Sequence, residues 1–110
     1  MKLYTNKIQT DKLIELGFEK PKSIEVYRDG HCVPFVEQRL VYSIGELLSF
    51  LPENIAKENE MPSTLNISLM NGEWCVQYAD FLGTDFEFCN TELVDALYDM
   101  NVKLKEKDLI

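Results

Sequence analysis

From Thr64 to Leu104 the hydrophobic positions recur first every second residue and then with the period of a helix. Two runs of β-forming residues flank Asn71-Gly72, a dipeptide suited to a two-residue type I′ turn because both central residues need positive φ. Counting outward opposes Met70 to Glu73, Leu69 to Trp74, Ile67 to Val76 and Leu65 to Tyr78. The last three pairs share one face, while Asn66, Ser68, Cys75 and Gln77 share the other, as expected of a sheet with one side on a core. Asp85 to Cys89 continues the alternation with Phe86 and Phe88 inward, after a turn at Gly83-Thr84-Asp85. A helix over Thr91 to Lys105 follows, capped by Asn90 or Thr91. Its stripe is Leu93, Leu97, Met100 and Leu104, and its charges suit the macrodipole, with Glu92, Asp95 and Asp99 early and Lys103, Lys105 and Lys107 late.

The first half reads in the same way. Met1 to Ile8 is a candidate short edge strand, and Thr10 is placed to cap a helix over Asp11 to Leu16 that ends at Gly17. After the break at Lys20-Pro21-Lys22, Asp29-Gly30 predicts a second two-residue hairpin over Ile24 to Phe35, opposing Arg28 to His31, Val26 to Val33 and Ile24 to Phe35. Pro34 lacks a ladder donor and marks an edge. Val36 to Tyr42 continues as an extended segment, with Val36, Leu40 and Tyr42 in phase. Ser43-Ile44-Gly45-Glu46 is a capping box, with Tyr42 and Leu47 placed for a hydrophobic staple and Pro52 ending the short helix.

These elements predict a single α+β domain over residues 1–110. Antiparallel sheet is built from two β-hairpins plus an added strand, with two or three helices covering one face, and the pattern leaves open whether the hairpins join one sheet or form separate layers. Residues 1–52 form a hairpin-helix part, the polar stretch 53–63 a connection, and 64–110 a hairpin-strand-helix part. The expected core is Ile24, Val26, Val33, Phe35, Ile44, Leu47, Leu48, Leu51, Leu65, Ile67, Leu69, Trp74, Val76, Tyr78, Phe86, Phe88, Leu93, Leu97, Met100 and Leu104.

Charge changes the picture more than composition does. The net charge of −8 is unevenly spread: residues 1–42 hold seven basic and six acidic groups, whereas 43–110 hold four and thirteen. From Glu58 to Val102 there is no Lys or Arg, only Glu58, Glu60, Glu73, Asp80, Asp85, Glu87, Glu92, Asp95 and Asp99. Such a half repels phosphate backbones, since nucleic-acid affinity rests on cationic side chains that release counterions, so no nucleic-acid partner is expected. No run approaches the roughly 18 apolar residues of a membrane span, and Met1-Lys2-Leu3-Tyr4-Thr5-Asn6 lacks a signal peptide's apolar segment. The expectation is a cytoplasmic protein with no membrane partner. Cys32, Cys75 and Cys89 are odd in number and widely spaced, which suits reduced, partly buried thiols rather than a disulfide framework.

Few residues suggest chemistry. His31 and Cys32 are the one adjacent nucleophile and base, yet neighbours on a strand point to opposite faces and do not share a proton. His31, Cys32, Cys75 and Cys89 match structural zinc in ligand type but lack close ligand pairs such as Cys-x-x-Cys. The acids between Asp80 and Glu87 lack the alternating loop of an EF-hand, and Gly45, Gly72 and Gly83 form no phosphate loop. No cofactor, no metal and no catalytic residue is expected. On the last helix, Val94, Tyr98 and Val102 make a second apolar row about 100° from the first. It is either the edge of a wide core face or, together with Asp95 and Asp99, an interaction surface.

Three segments carry a resemblance: Tyr42-Ser43-Ile44-Gly45-Glu46-Leu47-Leu48-Ser49-Phe50-Leu51-Pro52, Asn71-Gly72-Glu73-Trp74-Cys75-Val76-Gln77-Tyr78, and Glu92-Leu93-Val94-Asp95-Ala96-Leu97-Tyr98-Asp99-Met100. Over residues 42–104 the chain resembles small uncharacterised proteins of bacteriophages and integrated elements of gut bacteria. The resemblance implies a cytoplasmic accessory protein of mobile DNA. Together these readings give a small acidic, non-enzymatic interaction or regulatory module, pairing with itself through the last helix or with a basic partner protein. The alternative is a small thiol- or metal-dependent protein using Cys32 and His31.

Overall fold

The computed structural model describes residues 1–28, 36–57 and 60–110. In chain order the described elements are α1 (Lys7–Glu15), β1 (Ser23–Arg28), β2 (Val36–Val41), α2 (Ile44–Phe50), β3 (Asn54–Lys57), β4 (Glu60–Met70), β5 (Glu73–Asp80), β6 (Gly83–Asn90) and α3 (Leu93–Glu106). The class is α+β. The strands form two antiparallel sheets rather than one: β1 pairs with β2, and β3-β4-β5-β6 form a four-stranded meander in chain order.

The β4–β5 hairpin has the register that its turn predicts. Leu65 opposes Tyr78, Ile67 opposes Val76 and Leu69 opposes Trp74, and both Asn71 (φ 52°) and Gly72 (φ 79°) adopt the left-handed conformation that the two-residue turn requires. β6 then sets Phe86 opposite Tyr78 and Phe88 opposite Val76. Its turn lies earlier than expected, at Phe81-Leu82 rather than Gly83-Thr84-Asp85, because Asp80 organises it. The Asp80 Oδ1 accepts from the N–H of Leu82 at 2.8 Å and of Gly83 at 3.1 Å, a side-chain substitute for a backbone turn bond. A register shift between Tyr78 and Ala79 absorbs the extra residue.

α3 packs on the inner face of β5 and β6. Leu93, Val94, Ala96, Leu97, Met100 and Leu104 are all buried, and each such leucine stabilises the fold by roughly 1.5–3 kcal/mol through burial. Leu13, Tyr42, Leu47, Leu51, Ile55, Val76 and Tyr78 complete the core, with Ile44, Leu48, Leu65, Ile67, Trp74, Phe86 and Phe88 partly buried against it. Ser43 caps α2 in a full capping box with Glu46. Two buried phenols tie down loops: the Tyr42 hydroxyl donates to the Glu19 carbonyl at 2.5 Å and the Tyr78 hydroxyl to the Pro52 carbonyl at 2.6 Å. Burial pushes both hydroxyls up to about 12, with the Glu46 and Glu19 carboxylates adding to the effect at Tyr42.

Several expectations are corrected. The first helix is capped by Asn6, not Thr10: the Asn6 side chain accepts from Gln9 N while the Gln9 side chain accepts from Asn6 N. Thr10 lies inside the helix, buried, with its hydroxyl donating to the Asn6 carbonyl at 2.8 Å and sharing a 2.7 Å bond with the buried Thr5 hydroxyl. Gly17 (φ 96°) does end the helix, with Gly17 N donating to Ile14 O and Phe18 N to Leu13 O, the paired bonds of a left-handed C-terminal cap. Met1 to Ile8 forms no strand, only a bridge between Tyr4 and Ser43 before α1 begins.

In the β1–β2 hairpin, Ile24 opposes Leu40, not Phe35, and Arg28 opposes Val36, not His31. The predicted two-residue loop at Asp29-Gly30, with Val33, Pro34 and Phe35, lies outside the described residues, as does the Val26 side chain. Ile24 and Leu40 are exposed while Val41 is buried, so the phase of this sheet is one residue off the expected one. Leu69 is exposed as well, near the end of its strand. The supposed connection 53–63 is largely sheet: β3 pairs with the start of β4, setting Asn54 against Thr64 and Ile55 against Ser63. A register shift between Ile55 and Lys57 lies opposite the Met61-Pro62 stretch, which suits a residue that lacks a ladder donor.

Candidate functional site

With α3 on one face of the four-stranded sheet, strand alternation assigns the residues of the other. β4 contributes Asn66, Ser68 and Met70, β5 contributes Glu73, Cys75 and Gln77, and β6 contributes Glu87 and Cys89. Asn66, Met70, Glu73, Glu87 and Cys89 are exposed, while Ser68, Cys75 and Gln77 are half-buried. β4, β5 and β6 contain no Lys or Arg, so this open face is acidic and polar. At the β5–β6 tip, Phe81 and Leu82 are 78% and 82% exposed. Two large apolar side chains therefore stand in solvent beside Asp80, whose carboxylate is engaged in shaping the turn.

In the middle of the face Cys75 lies directly opposite Cys89, and the two form a disulfide with Cα atoms 4.1 Å apart. For Cys75 and Cys89 this overturns the expectation of reduced, partly buried thiols. Fourteen residues of sequence separation conceal a direct cross-strand pair, and only the register of β6 on β5 brings the sulfurs together. A signal existed, since placing Phe88 opposite Val76 necessarily places Cys89 opposite Cys75. The Glu87 carboxylate, two residues along β6 on the same face, has its Oε1 3.2 Å from the Cys89 sulfur. His31 and Cys32 lie outside the described residues.

The row on the last helix divides. Val94 is fully buried, and Tyr98 and Val102 are partly buried against the core, so this row forms the edge of a wide core face. The acids beside it are held by the N-terminal segment. Asp95 accepts from Lys2 Nζ at 2.7 Å and from Gln9 Nε2 at 2.7 Å, and the Glu92 carboxylate accepts from the Lys2 backbone N–H at 2.7 Å. Burial, and then the neighbouring Asp95 charge, push the Asp99 carboxyl above its ordinary range. The Tyr98 hydroxyl is raised too, first by burial and then by Asp99 and Glu106.

A separate groove of about 580 Å³ is lined by residues 1–6 with Ile24 and Glu25. No helix among the described residues is long and apolar enough to cross a membrane. No family model, curated protein or solved structure matches the chain.

Proposed function

We propose that the protein is a non-enzymatic interaction module that presents the open face of β4-β5-β6 to a basic partner protein, with Phe81 and Leu82 entering an apolar socket on that partner. The observation that carries this reading is the pairing of the two exposed side chains at the hairpin tip with a sheet face that has carboxylates and no cation. Opposite charge steers encounter and selects the partner, whereas the apolar anchors supply the affinity that holds it. The burial of Val94 turns the reading away from self-association through α3 and toward the sheet. The resemblance to small proteins of bacteriophages and integrated elements supports an accessory role in the cytoplasm.

Affinity capture with the immobilised chain, from cells that make it, tests the proposal in two independent ways. A basic protein retained by the wild type should elute as salt rises, because its long-range attraction is screened. Phe81→Ser combined with Leu82→Ser should abolish retention at every salt concentration, while Glu73→Lys should weaken it mainly at low salt. Retention by the doubly substituted tip equal to that of the wild type would overturn the reading.

A further inference from the structure

The open face holds one cluster, Cys75, Glu87 and Cys89, whose sulfurs the binding reading does not use. One ligand atom each from Cys75, Glu87 and Cys89 can be chosen so that all three lie within 4.8 Å of one another, and Glu87 and Cys89 are exposed. Three strand positions supply them: two directly opposed across β5–β6 and one two residues further along β6. The sheet ladder holds these positions in place, so the donor set is fixed by backbone hydrogen bonding rather than by a mobile loop.

We infer that, once the disulfide is reduced, Cys75, Cys89 and Glu87 form a site for a thiophilic divalent cation of the zinc type. A dithiol reductant supplies the two electrons and two protons that break the S–S bond and leave two thiols, and is itself oxidised to a disulfide. The cation then displaces both thiol protons to solvent and forms two metal–sulfur bonds and one bond to a Glu87 carboxylate oxygen. Solvent water completes a tetrahedron. With Zn–S bonds of about 2.3 Å, two sulfurs on one tetrahedral ion sit about 3.8 Å apart, a spacing that opposed side chains on adjacent strands reach by small rotations about χ1. The two thiolates and the carboxylate offset the cation's charge, and the exposed face gives it a direct path from solvent. The oxidised chain lacks the thiolates, so metal binding and disulfide formation exclude one another. This inference shares the Glu87 carboxylate with the partner-binding face but uses neither Phe81, Leu82 nor Glu73, and its test reads metal binding without any partner.

Anaerobic titration of the reduced Cys32→Ser chain with Co²⁺ tests it, because that background retains only Cys75 and Cys89 as thiols. One ion per chain should bind, with a thiolate-to-cobalt charge-transfer band and the visible bands of tetrahedral cobalt, and Zn²⁺ should displace it. The band should vanish when Cys89→Ser is added and in the oxidised chain, and affinity should fall by about tenfold or more with Glu87→Gln. Absence of the band in the reduced chain would overturn the site, whether or not that chain remains folded. So would unchanged affinity in the Glu87→Gln chain, or equal affinity in denaturant, where only flexible thiols could be responsible.

Discussion

Asn101 shows how one side chain can join two helices. It is fully buried on α3, and its Nδ2 donates to the Leu47 carbonyl of α2 at 3.0 Å and to the Leu97 carbonyl one turn earlier at 2.9 Å. Its Oδ1 has no partner, so the residue combines a useful bond with an unmatched acceptor. Replacing it with leucine leaves the Leu47 carbonyl without that donor, and an unpaired buried polar group costs about 1–3 kcal/mol. We therefore expect Asn101→Leu to lower stability by about that amount in denaturant unfolding. A stabilised variant would show that the orphaned Oδ1 outweighs the bond. The position was partly legible: Leu93, Leu97 and Asn101 recur every fourth residue, so a polar residue occupies a slot of the apolar stripe. What the spacing omits is the α2 carbonyl that makes a polar residue tolerable there.

At the scale of an element, α2 is held by a cap rather than by length. It has seven residues, too few for a helix to persist alone in water. Ser43 accepts from Glu46 N at 3.2 Å and the Glu46 carboxylate accepts from Ser43 N at 3.2 Å. The same carboxylate accepts from Lys22 N at 2.9 Å and from the Ser23 hydroxyl, so it also ties α2 to the start of β1. Burial alone would raise the Glu46 carboxyl, but the hydrogen bonds from Ser23, Lys22 and Ser43 outweigh it and hold the group below its ordinary range. A carboxyl with a lowered folded value contributes stability above its unfolded value and loses it as pH falls through the folded one. Thermal unfolding followed downward from neutral pH should show this loss, and Glu46→Gln should flatten the slope. Ser43→Ala should cost about 1 kcal/mol.

The Ser43 box was readable because donor and acceptor lie three residues apart on the chain. The Asn6 and Gln9 box has that same spacing, but the apolar cluster Leu13, Ile14 and Leu16 lies beyond Thr10 and points to a later start. The register of the first hairpin differs for another reason, with Arg28 opposite Val36 rather than His31. Turn propensity is local, whereas register in a hairpin follows which face is buried, and here Val41 and Tyr42 are inside while Leu40 is outside.

For the whole molecule, the Cys75–Cys89 disulfide links the two strands on which α3 packs. Closing a loop of that separation restricts the unfolded chain, an effect worth about 3 kcal/mol in the chain-entropy description. Reduction, or Cys75→Ser with Cys89→Ser, should therefore lower the denaturant midpoint by a corresponding amount without altering the fold. An unchanged midpoint would mean that the unfolded chain already keeps these two segments close without the bridge. The sequence by itself determined the β4–β5 register, the inward phase of β6, the stripe of α3 and the Ser43 cap, because each depends on residues a few positions apart or on a period along one element. Tertiary structure alone decided that the two hairpins form separate sheets, that 54–57 adds an edge strand, and that Val94 belongs to the core. It also decided that two distant cysteines meet beside a glutamate. Each of these depends on which surfaces find one another across the chain, and burial, unlike propensity, is a property of the pair rather than of either segment.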